Sequence, residues 1–199
     1  LKDLGAEIID EVKIDSIGQF DDSEFDVLSY ELKADLNAYL TRLPKSAPAR
    51  TLAELIEFNR VRATLEMPFF GQEWFESAQA KGPLSDPAYR DALAKNHELS
   101  RSKGIDAAFS AHRLDALIGP SGGPAWLIDH INGDHYTGGN TSLAAVAGYP
   151  HLTVPMGFVQ HLPVGLSFIG LPYSEARLLG LGYAFEQATR ARKSPFRSR

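Results

Sequence analysis

Along the first half of the chain, apolar residues return every three or four positions; beyond it they gather into short continuous runs bounded by glycine and proline. Phe25, Leu28, Leu32, Leu36, Tyr39 and Leu40 share one face of a helix, with Ser23 and Asp26 as a capping-box variant at its start and Pro44 beyond its end. Leu52, Leu55, Ile56 and Phe58 define a second helix, opened by Thr51 and Glu54 and limited by Pro68. A short helix over 72–80 carries Trp74 and Phe75 and is broken by Gly82 and Pro83. Asp86 and Pro87 are an N-cap followed by proline at the first helical position. The helix they open runs through Ala111 on Tyr89, Leu93, Leu99, Ile105, Ala108 and Phe109, with a kink at Gly104.

The run DALIG then reads as a buried strand closed by Pro120. A nineteen-residue loop, 121–139, follows, and loops of that length inside compact domains are usually functional. Next come a short helix over 140–147 stopped by Gly148, a strand over 151–155, a second strand over 164–170, and a final helix over 174–192 capped by Ser174. About eight residues separate the last two strands, short enough for an antiparallel pair. At the other end, Leu1, Leu4 and Gly5 suggest one helical turn with its C′ residue, then a strand over 7–10 that buries Ile8 and Ile9. So short a helix is marginal alone, which reads as a chain cut inside a longer helix. The expected fold is a single α/β domain over 1–199 with a mixed sheet of about four strands. A helical insertion would occupy about 23–111 and a sheet core about 114–192.

Size and charge narrow the partners. At 199 residues and 44% hydrophobic content the chain can bury a sizeable core. A net charge of −5 leaves no basic patch for phosphates, so no nucleic acid partner is expected. The tail cluster Arg190, Arg192, Lys193, Arg197 and Arg199 reads as a solvated helix end. No apolar run approaches the ~20 residues of a membrane span, so a soluble chain without a membrane partner is expected. The lack of cysteine removes thiolate catalysis and cysteine-held zinc, and leaves compartment open with a cytoplasmic location as the default.

Candidate chemistry concentrates in the long loop. His112, His130 and His135 with Asp115, Asp129 and Asp134 suggest a histidine–carboxylate site or a metal site. DHINGDH, however, spaces its histidines by five among turn formers, unlike the i, i+4 helical pair of zinc hydrolases, so no metal is expected. Asn132 and Gly133 read as a tight turn. Neither a G-x-G-x-x-G loop nor a phosphate-cradling loop is present, so no cofactor is expected.

Three pieces in order carry a resemblance: residues 115–120 as D-x-hydrophobic-hydrophobic-x-P; Thr137 and Asn140 before G-x-P-x-x-x-V-P-x-G at Gly148, Pro150, Val154, Pro155 and Gly157; and LPVGLSFIG over 162–170, followed by Glu175, Leu178 and Leu179. Together they resemble the C-terminal part of an amidase-signature hydrolase, and GDHYTGGNTS is similar to its peptide-amidase and aryl-amidase branches. The resemblance implies a large sheet wrapped in helices and hydrolysis of carboxamide C–N bonds by a lysine, a cis-configured serine and a nucleophilic serine. In that family all three lie upstream of the part resembled here. Ser121 in PSGGP is the tempting nucleophile, but the family pattern asks for two adjacent serines between glycine pairs, and Ser121 reads instead as a turn residue. The chain is therefore expected to hold no catalytic residue and to be inactive alone.

What it would keep is a substrate wall for a small amide or peptide amide, with Trp126, His130, Asp134, Tyr136, Thr137 and Asn140 as the binding candidates. The alternative is a non-catalytic module of the same fold that binds a small ligand or partner through this loop. Strands bordering a missing part would offer unpaired edges, so a homo-oligomer through an exposed sheet edge is expected.

Overall fold

The computed structural model describes residues 1–194; Arg197 and Arg199 of the tail cluster lie outside the described residues. A 3-10 turn at Lys2–Leu4 is followed by α1 (Asp21–Leu40), α2 (Leu52–Val61), α3 (Ala63–Glu66), α4 (Glu73–Gln79) and α5 (Pro87–His97). A π-helical stretch, Glu98–Ile105, continues into α6 (Asp106–His112), and then come β1 (Leu117–Pro120), α7 (Thr141–Ala147), β2 (His151–Val159), β3 (Leu162–Ile169) and α8 (Glu175–Thr189). The chain divides into two compact units, Leu1–Ile17 with His97–Arg199, and Gly18–Asn96.

Within Gly18–Asn96, α1 packs on α4, where Phe25 meets Trp74 edge to face at 4.6 Å. Helix α1 starts two residues before Ser23, whose hydroxyl donates back to Phe20 O at 3.0 Å and caps nothing. Asp21, Asp22 and Glu24 complement the positive helix start instead, and Phe20 anchors it by burial. At α2 the expected cap forms: Thr51 Oγ1 accepts Glu54 N at 3.1 Å, while Glu54 Oε2 reaches Arg50 N at 2.7 Å. Lys33 Nζ donates to the carbonyl of Gln79 at 2.9 Å and to that of Lys81, satisfying the end of α4.

The other unit holds the sheet, three strands in the order β1-β3-β2 with both pairings antiparallel. The α/β class and the antiparallel final pair stand, whereas the four-stranded mixed sheet does not. Residues 7–10 form no strand: among the described residues the ladder pairings join β1, β2 and β3 alone, and a strand needs a partner for its backbone groups. Alternation on β3 sends Leu166 and Phe168 against Leu178 and Phe185 of α8, with Leu152 and Val154 of β2 beside them. Gly182 lets α8 approach closely, since a Cβ there would lie 2.5 Å from Leu152 Cδ2. Serine 174 occupies the N-cap of α8 but donates its hydroxyl to Leu171 O, and the helix ends at Thr189, where Arg190 turns left-handed at φ 45.

The kink expected at Gly104 is present, with φ −112 and ψ −108 inside the π-helical stretch. On either side of it, Arg101 Nε donates to Ala147 O at 2.8 Å, and Asp106 Oδ1 accepts from Tyr149 Oη at 2.8 Å. Gly148 closes α7 at φ 68, a conformation few other residues adopt without strain. These bonds fix α7, and with it Asn140 at the end of the long loop.

Candidate functional site

Strand β1 delivers the chain into the loop, and β3 holds its first residue: Ser121 N donates to Gly165 O at 2.8 Å. The loop returns beside its own start, bridging Gly122 to Gly139, with Gly123 N donating to Gly138 O at 3.3 Å. Between the two passes lies an open cavity of about 380 Å³, walled by Ile118, Gly119 and Pro120 on one side and Thr137 and Asn140 on the other, with glycines between. Asn140 Oδ1 is buried there without a hydrogen-bond partner, and Asn140 at the N-cap of α7 makes no side-chain cap.

Of the six residues expected to bind substrate, Thr137 and Asn140 line this cavity. Trp126, Asp134 and Tyr136 form a second cluster: Trp126 Nε1 donates to Asp134 Oδ1 at 3.2 Å, and the two rings meet edge to face at 6.1 Å. Tyr136 Oη lies 3.1 Å from where a Cβ of Gly139 would stand, which brings that cluster to the cavity rim. His130 is exposed on the neighbouring turn. That turn forms as the sequence implies: Asp129 Oδ1 accepts Ile131 N and Asn132 N, both at 2.9 Å, and Gly133 sits at φ 82. The amide donors of Asn132 and Ile131 hold the Asp129 carboxyl below the usual carboxylate range. Among the described residues, no three His, Asp or Glu side chains gather closely enough to hold a metal ion.

A connected polar chain that the sequence did not announce crosses the sheet face opposite α8. His151 Nε2 lies 2.6 Å from Ser167 Oγ, Ser167 Oγ donates to Ser121 Oγ at 2.8 Å, and Ser121 Oγ lies 2.6 Å from Thr153 Oγ1. Ser167 is fully buried, His151 and Ser121 are half-buried, and Thr153 is exposed. Burial holds the His151 imidazole below its ordinary range, so it is neutral at neutral pH. The available signal was polar residues at alternate positions of apolar strands, which also describes any solvated sheet face.

Comparison with known proteins places this geometry. The family model described as Amidase matches residues 1–179. A probable amidase of Arabidopsis thaliana is 36% identical over 98% of this chain and 36% of its own length. The solved peptide amidase of Stenotrophomonas maltophilia is 45% identical, with a TM-score of 0.81 over 90% of this chain and 36% of its own. A peptide amidase solved with the competitive inhibitor chymostatin is 47% identical, with a TM-score of 0.84 over the same shares. The chain thus spans about a third of the length of these relatives.

Proposed function

The chain belongs to the amidase family, and on that premise we propose that it is the C-terminal part of an enzyme that hydrolyses carboxamide C–N bonds, supplying sheet core and substrate wall. The reacting lysine, bridging serine and nucleophilic serine would lie in a preceding region, and the 199 residues alone would be inactive. The observation that carries this is the 45–47% identity to peptide amidases over 90% of the chain, combined with coverage of 36% of theirs.

The cavity supports the wall reading. Glycines on both passes of the loop leave main-chain groups accessible beside Thr137 and Asn140, and the Trp126–Tyr136 pair offers an apolar rim to a peptide side chain. His130 and Asp134 would complete the rim. The substrate class favoured is a small amide or peptide amide.

The test is release of ammonia from a peptide carboxamide. Only a chain extended upstream into a lysine and a paired-serine, glycine-rich motif should turn over, while these 199 residues show none. Sustained turnover by the 199 residues would overturn the division of labour.

A further inference from the structure

Each hydroxyl carries a single proton, and this limits the directions open along the polar chain. Ser167 Oγ directs its proton to Ser121 Oγ. The 2.6 Å contact between Ser167 Oγ and His151 Nε2 then needs the proton on the imidazole, so Nε2 donates. Ser121 accepts from Ser167 and meets Thr153 Oγ1 at 2.6 Å, a contact either hydroxyl can donate; the relay is the sense in which Ser121 does. Thr153 accepts in turn, and its own proton remains at the exposed end.

We infer that His151, Ser167, Ser121 and Thr153 form a one-way donor relay whose exposed Thr153 hydroxyl is a binding subsite for an acceptor oxygen, a carbonyl or a carboxylate. The opposite polarity would require Ser167 to donate to the imidazole, and would give up the bond it donates to Ser121. Consecutive hydrogen bonds of one sense polarise each other, so the terminal hydroxyl is a better donor than a lone surface threonine.

Gly165 makes the relay sterically possible. Ser121 and Thr153 stand on either side of β3 and meet over Gly165, where a Cβ would lie 2.6 Å from Thr153 Oγ1 and 2.8 Å from Ser121 Oγ. Ser121 also sits between Pro120 and Gly122, both of which line the cavity, so the subsite adjoins that wall. The inference stands on the chain's own hydrogen bonds and does not depend on amide turnover.

Nitrogen-15 NMR of His151 at about pH 8, where imidazole is neutral, should show the Nε2–H tautomer. Titration with acetate and with N,N-dimethylacetamide, two probes that only accept, should give saturable shifts at the Thr153 and Ser121 amides; a response to one probe alone identifies carboxylate or carbonyl as the ligand. Thr153→Val keeps the shape, removes the hydroxyl at an exposed position, and should weaken binding about tenfold while leaving the tautomer intact. Thr41→Val, at an exposed position of the other compact unit, should leave both unchanged. An Nδ1–H tautomer, no saturable shift with either probe, or binding by Thr153→Val equal to the parent would overturn the inference.

Discussion

His151 and His97 both sit where burial disfavours the imidazolium. At His151 burial is the whole cause; at His97 the Arg101 guanidinium, 3.1 Å from Nε2, adds like-charge repulsion to it. In the unfolded chain each imidazole takes up its proton near pH 6.5, but in the fold only at a lower pH. Between those values the unfolded chain binds more protons, so stability is full above about pH 6.5 and declines as pH falls through the folded values. Urea midpoints should therefore drop between about pH 7.5 and 5.5, and the drop should be smaller in a His97→Gln, His151→Gln double variant. Equal drops would mean that these two rings do not govern acid sensitivity. The same residue scale shows where sequence reading fell short: His151 looked like one polar position on a strand, and nothing along the chain said that Ser167 and Ser121 lie within hydrogen-bond reach of it and of each other.

Elements were legible where the pattern was long and punctuated. Helices α1 and α4 appear within a few residues of their predicted bounds because each carries an apolar face and a start or stop residue. By contrast, α2 stops at Val61 before the short α3, and the helix expected from Pro87 through Ala111 is divided into α5, the π-helical stretch and α6. The strand expected over 7–10 fails because a strand is a partnership, and two isoleucines do not state whether a partner exists. Helix α8 shows what packing adds: of the paired leucines, Leu178 is 2% exposed against Phe168 and Phe185, while Leu179 is 60% exposed. Leu178→Ala should cost about 2–5 kcal/mol and Leu179→Ala no more than about 0.5 kcal/mol in urea unfolding. Similar costs at both would place α8 in a different rotation on the sheet.

For the whole molecule, the sheet order leaves β1 and β2 as edges, while Leu127 at 89% and Ile131 at 93% exposure turn large apolar side chains outward from the loop. Two features blunt the edges: Pro120 ends β1, and Pro155 interrupts β2 beside a bulge before Gly157. Edge pairing is thereby weakened at those points, yet the rest of β2, from His151 to Val154, keeps an uninterrupted register. We propose that self-association follows from this surface, with strand pairing along β2 reinforced by the loop's apolar residues. Light scattering across rising concentration should report the mass of a dimer or larger species. Placing lysine at Leu127 and Ile131, both on the exposed loop, should shift the population toward monomer without changing the unfolding midpoint extrapolated to low concentration. A monomer at every concentration would count against the proposal, and association unaffected by the two lysines would exclude the loop and leave the strand edge to account for it.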